Sequence, residues 1–361
     1  MCKITLFIGS LSGGGAERVT CNLANYLNAN GYEVDVITMS NACDTYKLES
    51  GINRICLLDE KERVGRITNL RIRMRRLKQY VINNQDVDCY VVMLPITIFM
   101  LMRLKRFTRG KIIISERNNP GSYKLYEKMM MKYAAKKSDG LVVQTEEIGK
   151  WYKDVKNKVV IPNAINKDIV FPGRNKVENR IVSVSRLEKQ KNLTMLINAF
   201  EVFSKKFPEY KLEIYGKGDQ EQKLKDLVLK KHLGDKIEFM GYVDNVLERI
   251  ADADCFVLTS DYEGMPNALI EAMCMGIPCI ATDCDGGGAK ELIKNKKNGV
   301  LIKKGDVGSL VLALEKIMLN KKFSEKISSD ARLLNNRLSY DEIYSKWVRF
   351  IKNTVGNEVA V

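Results

Sequence analysis

The chain has 361 residues, 45% of them hydrophobic, a net charge of +15 and one histidine. That length allows two domains with sizeable cores, and the apolar share is ordinary for a soluble globular protein. The lone His232, in a polar stretch, argues against a Ser–His–Asp triad or a histidine metal cluster. The charge is uneven: residues 1–165 carry 27 Lys+Arg against 16 Asp+Glu, and residues 166–361 carry 32 against 28. A phosphate-bearing partner or an anionic membrane is therefore expected to dock on the N-terminal half.

Strand and helix alternate from the start. Residues 3–8 read as a strand that opens onto Gly9-Ser10-Leu11-Ser12-Gly13-Gly14-Gly15-Ala16-Glu17-Arg18. Glycines there let the backbone approach a ligand, and the N-terminus of the following helix, expected over 17–29, favours negative charge. The spacing is not G-x-G-x-x-G, which disfavours a nicotinamide cofactor. A second strand follows at 33–38. Residues 61–80 hold eight basic residues and one acid, Glu62, with Val64, Ile67, Leu70, Met74, Leu77 and Val81 at helical spacing. This reads as a basic amphipathic helix, either a solvated face on a core-packed helix or a site for an anionic membrane or lipid diphosphate. No stacking platform or nucleic-acid module accompanies it, so nucleic acid is not an expected partner. Strands at 89–94, 111–115 and 141–144 complete a doubly wound, mostly parallel sheet.

A polar, irregular stretch from Asn163 to Asn179 reads as a linker, dividing a domain of 1–165 from one of 166–339. The helix near 340–353 is expected to pack back on the first domain. The second domain restarts the pattern with strands at 180–184, 212–215, 237–240, 255–258 and 278–281. After the first of these come Ser185-Arg186-Leu187-Glu188-Lys189-Gln190-Lys191-Asn192, whose Arg186 and Lys191 are placed to hold a pyrophosphate without a metal. Gly216-Lys217-Gly218 and Gly241-Tyr242 follow the next two strands and permit close backbone approach. Glu263-Gly264-Met265-Pro266-Asn267-Ala268-Leu269-Ile270-Glu271 follows the fourth. Its two acids, suited to accept from hydroxyls, flank the free N–H groups of a helix N-terminus, with Pro266 expected in the first turn. Two acids beside a phosphate cradle suggest a sugar nucleotide. Two such domains imply a cleft with loops contributed by both.

Three D-x-D triplets, Asp86/Asp88, Asp252/Asp254 and Asp283/Asp285, read as loop residues rather than metal ligands. The nine cysteines have no zinc-ligand spacing, and reduced core thiols of a cytosolic protein are expected. Residues 4–8 are too short for a signal h-region. The most apolar run, 90–102, is too short to span a membrane and contains Pro95.

The order G-G-G-A-E-R, S-R-L-x-x-x-K-N and E-G-x-P-N-A-L-I-E-A-M-x-x-G-x-P resembles the retaining glycosyltransferases of family 4, over nearly the whole chain. The resemblance implies the GT-B fold, two Rossmann-like α/β domains facing a central cleft, with acceptor binding in the N-terminal domain and donor binding in the C-terminal one. It implies that Arg186 and Lys191 hold the donor diphosphate, that Glu271 binds ribose hydroxyls and that Glu263 lies near the donor sugar. Backbone from Gly264, Met265, Pro266, Asn267, Ala268 and Leu269 would approach the phosphates and sugar. Gly216, Gly241 and Tyr242 would lie near the nucleotide, and Gly13, Gly14 and Gly15 near the phosphates and acceptor. Many relatives carry a histidine where this chain reads Glu116-Arg117-Asn118-Asn119, and Glu116 or Asn118 is the expected substitute. The implied reaction moves a hexose or N-acetylhexosamine from a UDP-sugar to a polyprenyl-diphosphate-linked or other lipid-linked saccharide, with no cofactor or metal. The implied location is the cytoplasmic face of the membrane, held through the basic helix. A GT-B epimerase or phosphorylase, and a non-enzymatic basic membrane- or nucleic-acid-binding protein, are the competing readings.

Overall fold

The structure is a computed structural model and describes residues 2–41, 44–165, 167 and 179–356. The expected linker and Cys43 fall largely or wholly outside them. The chain divides into two compact units, Met1–Ala164 with Tyr340–Val361, and Ile165–Ser339.

Among the described residues the first unit is built on a seven-stranded, all-parallel sheet. Its strands are β1 (Lys3–Ile8), β2 (Glu33–Thr38), β3 (Asn53–Cys56), β4 (Cys89–Met93), β5 (Lys111–Ser115), β6 (Gly140–Val143) and β7 (Lys158–Val160), in the order β3-β2-β1-β4-β5-β6-β7. The central strands are covered on both faces, which is why they read as unbroken apolar runs: every residue of β4 is buried. The second unit repeats the plan with six parallel strands: β8 (Arg180–Val184), β9 (Lys211–Tyr215), β10 (Ile237–Gly241), β11 (Cys255–Leu258), β12 (Cys279–Asp283) and β13 (Val300–Lys303). Their order is β10-β9-β8-β11-β12-β13. In each sheet the chain winds outward from one central strand, then returns to that strand's other side. The reversal points lie between β1 and β4 and between β8 and β11, where open α/β sheets bind ligands beyond the carboxyl ends of the strands.

The helix Tyr340–Val355 belongs to the first unit. Its Trp347 is fully buried, the Tyr340 hydroxyl donates to the Asn22 carbonyl at 2.8 Å, and Tyr26 packs against the rings of Tyr340 and Tyr344.

Several expected boundaries move. The first helix begins at Gly15 rather than Glu17. The basic segment is not one helix over 61–80: a 3-10 turn, Glu60–Glu62, capped by Asp59, precedes a helix Arg66–Asn83. Its apolar stripe is only half used. Leu77 and Val81 are buried, but Val64, Ile67 and Leu70 are 80%, 70% and 41% exposed. Glu62, the one acid of the segment, is exposed but paired. It forms a bidentate pair with Arg76, at 2.7 and 2.8 Å, and these bonds hold its carboxyl down at about 2. Strands β3, β7 and β13 were not read from the sequence. All three are edge strands, and β3 and β7 are short and contain no buried residue, so little in the sequence marks those two.

Candidate functional site

The loops after β8 and β11 flank the reversal point of the second sheet and meet there. Lys191 Nζ lies 2.5 Å from Glu263 Oε1, with the two side chains 13% and 8% exposed. The Ser260 hydroxyl donates to the same oxygen at 2.6 Å. Both contacts fall on Oε1, and Glu263 Oε2 has no hydrogen bond among the described residues. The pair is locked from behind. Asp261 N donates to the Gln190 carbonyl at 2.9 Å, Gln190 Nε2 to the Tyr262 carbonyl at 2.7 Å, and Asn192 Nδ2 to Asp261 Oδ1 at 2.9 Å. Asn192 has φ +45° and caps the helix Leu193–Lys206 through its side chain. Asparagine tolerates this left-handed conformation better than most residues, which gives the Asn after Lys191 a backbone reason.

Arg186 sits differently. Its side chain is 68% exposed and pairs with Glu188 at 2.7 Å. Lys191 is therefore an enclosed cation already neutralised by a carboxylate, whereas Arg186 on the same loop is solvated.

Two glycine motifs have a packing role in addition to the one expected of them. Gly216 has φ +131°, and a Cβ there would lie 1.9 Å from the Ser185 carbonyl oxygen; one on Gly218 would lie 2.3 Å from that of Leu187. These glycines first admit the backbone of the Ser185–Arg186–Leu187 loop, and so set the path that leads to Lys191. Gly241 has φ +69° and accepts from Gly216 N at 2.7 Å, beside an exposed Tyr242.

The glycines after β12 carry a signal missed in the sequence. A Cβ on Gly288 would meet the Gly264 carbonyl oxygen at 2.0 Å and Pro266 Cδ at 2.8 Å. Glu263 N donates to the Asp285 carbonyl at 2.9 Å. Gly286-Gly287-Gly288 thus backs the loop that carries Glu263. Pro266 is the N-cap of the helix Asn267–Cys274 rather than a residue of its first turn, and its carbonyl accepts from Ile270 N. Met265 and Leu269 are buried, Asn267 and Ala268 half-buried, and Glu271 lies midway along the helix, also half-buried.

The D-x-D carboxylates have local partners. Asp86 and Asp88 bind Lys3, Asp254 accepts from the backbone of Asn179 and Arg180, and Asp283 and Asp285 pair with Lys290 and Lys304. Among the described residues no group of three or more His, Cys, Asp or Glu is arranged to hold a metal ion.

In the first unit the Gly13–Gly15 loop follows β1, at that sheet's own reversal point. Gly13 N donates to Thr45 Oγ1 at 3.0 Å, and Gly14 caps the helix Gly15–Ala29, with the Glu17 carboxylate folded back over it. The loop after β5 separates the two expected substitutes for histidine. Asn118 is exposed. Glu116 is 1% exposed and accepts from Tyr123 Oη at 2.7 Å, Tyr152 Oη at 2.6 Å and Asn118 N at 3.0 Å. Burial raises its pKa above the ordinary carboxylate value despite those donors. Glu116 is an internal brace of the loop, and Asn118 is the residue it presents. Beside it, burial lowers the Arg117 guanidinium to about 10, so it stays cationic at neutrality, over the Trp347 ring at 5.3 Å.

The raised Glu116 value has a stability consequence. Where the folded state binds more protons than the unfolded, stability falls as pH rises. Wild-type protein is therefore expected to lose stability as pH climbs from the ordinary carboxylate range through the elevated folded value. Glu116→Gln should remove that slope. Thermal unfolding of both proteins across this range tests it; parallel curves overturn the assignment.

The architecture matches known structures over almost its whole length. Sucrose-phosphate synthase from Thermosynechococcus elongatus superposes with a TM-score of 0.85 at 18% identity, covering 99% of this chain and 100% of that one. An Anabaena protein solved in complex with UDP-glucose superposes with a TM-score of 0.82 at 16% identity, covering 98% and 100%. The fold is GT-B, the two-unit α/β architecture of these enzymes. Residues 13–169 match the model of Glycosyltransferase Family 4 and residues 165–334 that of Glycosyl transferases group 1. Together the two matches span residues 13–334, and the chain is a GT-B glycosyltransferase of the family 4 type. Its relatives include an uncharacterized glycosyltransferase of Haemophilus influenzae, 27% identical over 96% of this chain and 99% of that protein. A Campylobacter jejuni enzyme named GalNAc-alpha-(1->4)-GalNAc-alpha-(1->3)-diNAcBac-PP-undecaprenol alpha-1,4-N-acetyl-D-galactosaminyltransferase is 28% identical over 97% and 98%.

Proposed function

We propose that this glycosyltransferase moves a hexose or N-acetylhexosamine from a UDP-sugar to a lipid-linked saccharide, with anomeric retention and without a metal. The observation that carries the reading is the Lys191–Glu263 pair at the reversal point of the second sheet, beside the N-terminus of the helix Asn267–Cys274. An arriving diphosphate would draw Lys191 away from Glu263 and recruit Arg186 from solvent. The released Glu263, steadied by Ser260, would accept from a sugar hydroxyl, and Glu271 from the ribose. Cations and helix N–H groups aimed at the leaving diphosphate stabilise charge that develops in the transition state. The lipid-linked acceptor is supported by the two Campylobacter relatives whose names specify diphospho-undecaprenol saccharides. The basic helix Arg66–Asn83 would serve the acceptor's diphosphate or the membrane surface.

A thermal-shift panel of nucleotide-sugars tests the donor site. A donor at about 100 times its Kd should stabilise the folded protein by about 2.7 kcal/mol through mass action. The expected result is a rise in melting temperature with one or more UDP-sugars. No shift with any UDP-sugar, or an equal shift with inorganic diphosphate alone, overturns the assignment.

A further inference from the structure

The helix Leu125–Lys137 in the first unit is oriented against the usual rule. Its inward face is small and regular: Met131, Ala134 and Ala135 are buried. The opposite face, which solvent should make polar, carries Leu125, Met129 and Tyr133 at successive four-residue steps, 76%, 66% and 67% exposed, with Tyr126 at 58% beside them. Four large apolar or aromatic side chains on one face exceed the scattered single residues of an ordinary surface. They are interleaved with lysines: residues 124–137 contain Lys124, Lys128, Lys132, Lys136 and Lys137 against one acid, Glu127. Trp151 adds an aromatic edge, with the ammonium groups of Lys128 and Lys132 each 5.8 Å from its ring.

The surface continues beyond the helix. The helix Pro95–Met102 packs against it, and between them lies a groove of about 580 Å³. Phe99, Met102 and Tyr133 give the groove an apolar lining, and Arg103, Arg106 and Lys137 contribute cations to it. An apolar slot with cationic groups at its wall fits an amphiphile with an anionic head. A helix with aromatic and aliphatic residues on one exposed face, with lysines among them, fits the plane of a bilayer interface. There lysine stems lie along the apolar region and their charges reach the phosphates. A soluble acidic partner would use the lysines but leave Leu125 and Met129 without a reason.

We propose that the exposed face of the helix Leu125–Lys137, with Trp151 and the adjoining Phe99–Tyr133 groove, docks on an anionic lipid bilayer. This surface uses other residues than the basic helix Arg66–Asn83, which it adjoins where Lys78 lies over the Phe107 ring at 4.7 Å, and it does not depend on the sugar-transfer reading. Leu125, Tyr126, Met129 and Tyr133 enter the interface, Lys128 and Lys132 meet lipid phosphates, and Trp151 sits at headgroup depth.

The full chain is tested without donor or acceptor on vesicles of equal parts phosphatidylglycerol and phosphatidylcholine, and on phosphatidylcholine alone. The wild type should co-sediment with the mixed vesicles and bind the neutral ones about tenfold or more weakly. Leu125→Glu/Met129→Glu should lose binding by about tenfold or more, with an unchanged circular-dichroism melting curve, because both side chains point to solvent. Lipids brominated in the upper chain should quench the tryptophan emission of the wild type but not of Trp151→Phe, whose remaining Trp347 is buried. Equal binding of the double variant, failure of the wild type to bind, or quenching that survives in Trp151→Phe would each overturn the proposal. So would a wild-type dimer in solution that the double variant abolishes, which would make a second copy the occupant. Loss of vesicle binding with UDP-sugar stabilisation intact condemns this surface alone; the reverse pattern condemns the donor site alone.

Discussion

Lys191→Ala is expected to lower turnover by about 100-fold or more, the loss seen when one donor to a developing oxyanion is removed. The same substitution also strips Glu263 of its cation. The pair is mostly enclosed, and removing one partner of such a pair costs on the order of 3–5 kcal/mol when the other charge is left behind. Turnover and stability therefore fall together in the single variant, and a structural defect could be mistaken for a chemical one. Lys191→Ala/Glu263→Gln separates them. The neutral amide can still accept from Ser260, so stability should largely return while turnover stays low. Arg186→Ala should show the chemical half alone: a similar loss of turnover with no change in melting temperature, because its guanidinium is solvated and its partner Glu188 can rehydrate. Initial rates at saturating donor, measured with thermal unfolding, decide it. Wild-type turnover in both Lys191→Ala and Arg186→Ala would remove these residues from the reaction.

Gly288→Ala should damage the site without touching any charged group. The new methyl would need the space of the Gly264 carbonyl oxygen, 2.0 Å away, and of Pro266 Cδ. Backbone and a proline ring cannot swing aside as a long side chain can, so the loop carrying Glu263 must move. Overpacking of this kind costs roughly 1–3 kcal/mol, occasionally more. A shift of about 1 Å in a positioning group costs on the order of 100-fold in rate. The expected result is a lower melting temperature together with a raised donor KM. Gly234→Ala, where an added Cβ meets nothing within 4 Å, is the control. A Gly288→Ala protein with wild-type stability and KM would show that the three glycines do not set the loop.

Much of this molecule was legible in the chain. Buried parallel strands announce themselves as short apolar runs, and β1, β2, β5, β8 and β11 lie at the expected bounds. Of the four edge strands only β10 was legible; β3, β7 and β13 were missed, because a strand paired on one side needs no long apolar pattern. The basic segment was overread for a related reason. Helical spacing of apolar residues says which side chains share a face, but not whether anything covers that face. Ile67 and Leu70 share one with Leu77 and remain in solvent, and Val64 lies outside the helix altogether. The helix Leu125–Lys137 misleads the other way: with Met129, Met130 and Met131 in a row, nothing in the order of residues tells which methionine is inside.

The candidate site divides along the same line. Residue identity determined the chemistry on offer: which loops hold cations, acids and glycines, on which strand ends, and in what order along the chain. Those are local properties, set by types and spacings a few residues apart. Tertiary structure decided who meets whom. Lys191 and Glu263 are 72 positions apart and share an oxygen contact. Arg186, only five residues from Lys191, faces solvent with Glu188. Glu116 became a brace rather than a contact because Tyr123 and Tyr152 close over it. Gly216 and Gly288 proved to be places where backbone meets backbone. The register of neighbouring strands and the approach of their loops set these outcomes, and no local spacing encodes a distance between strands that are adjacent in the sheet and remote in sequence.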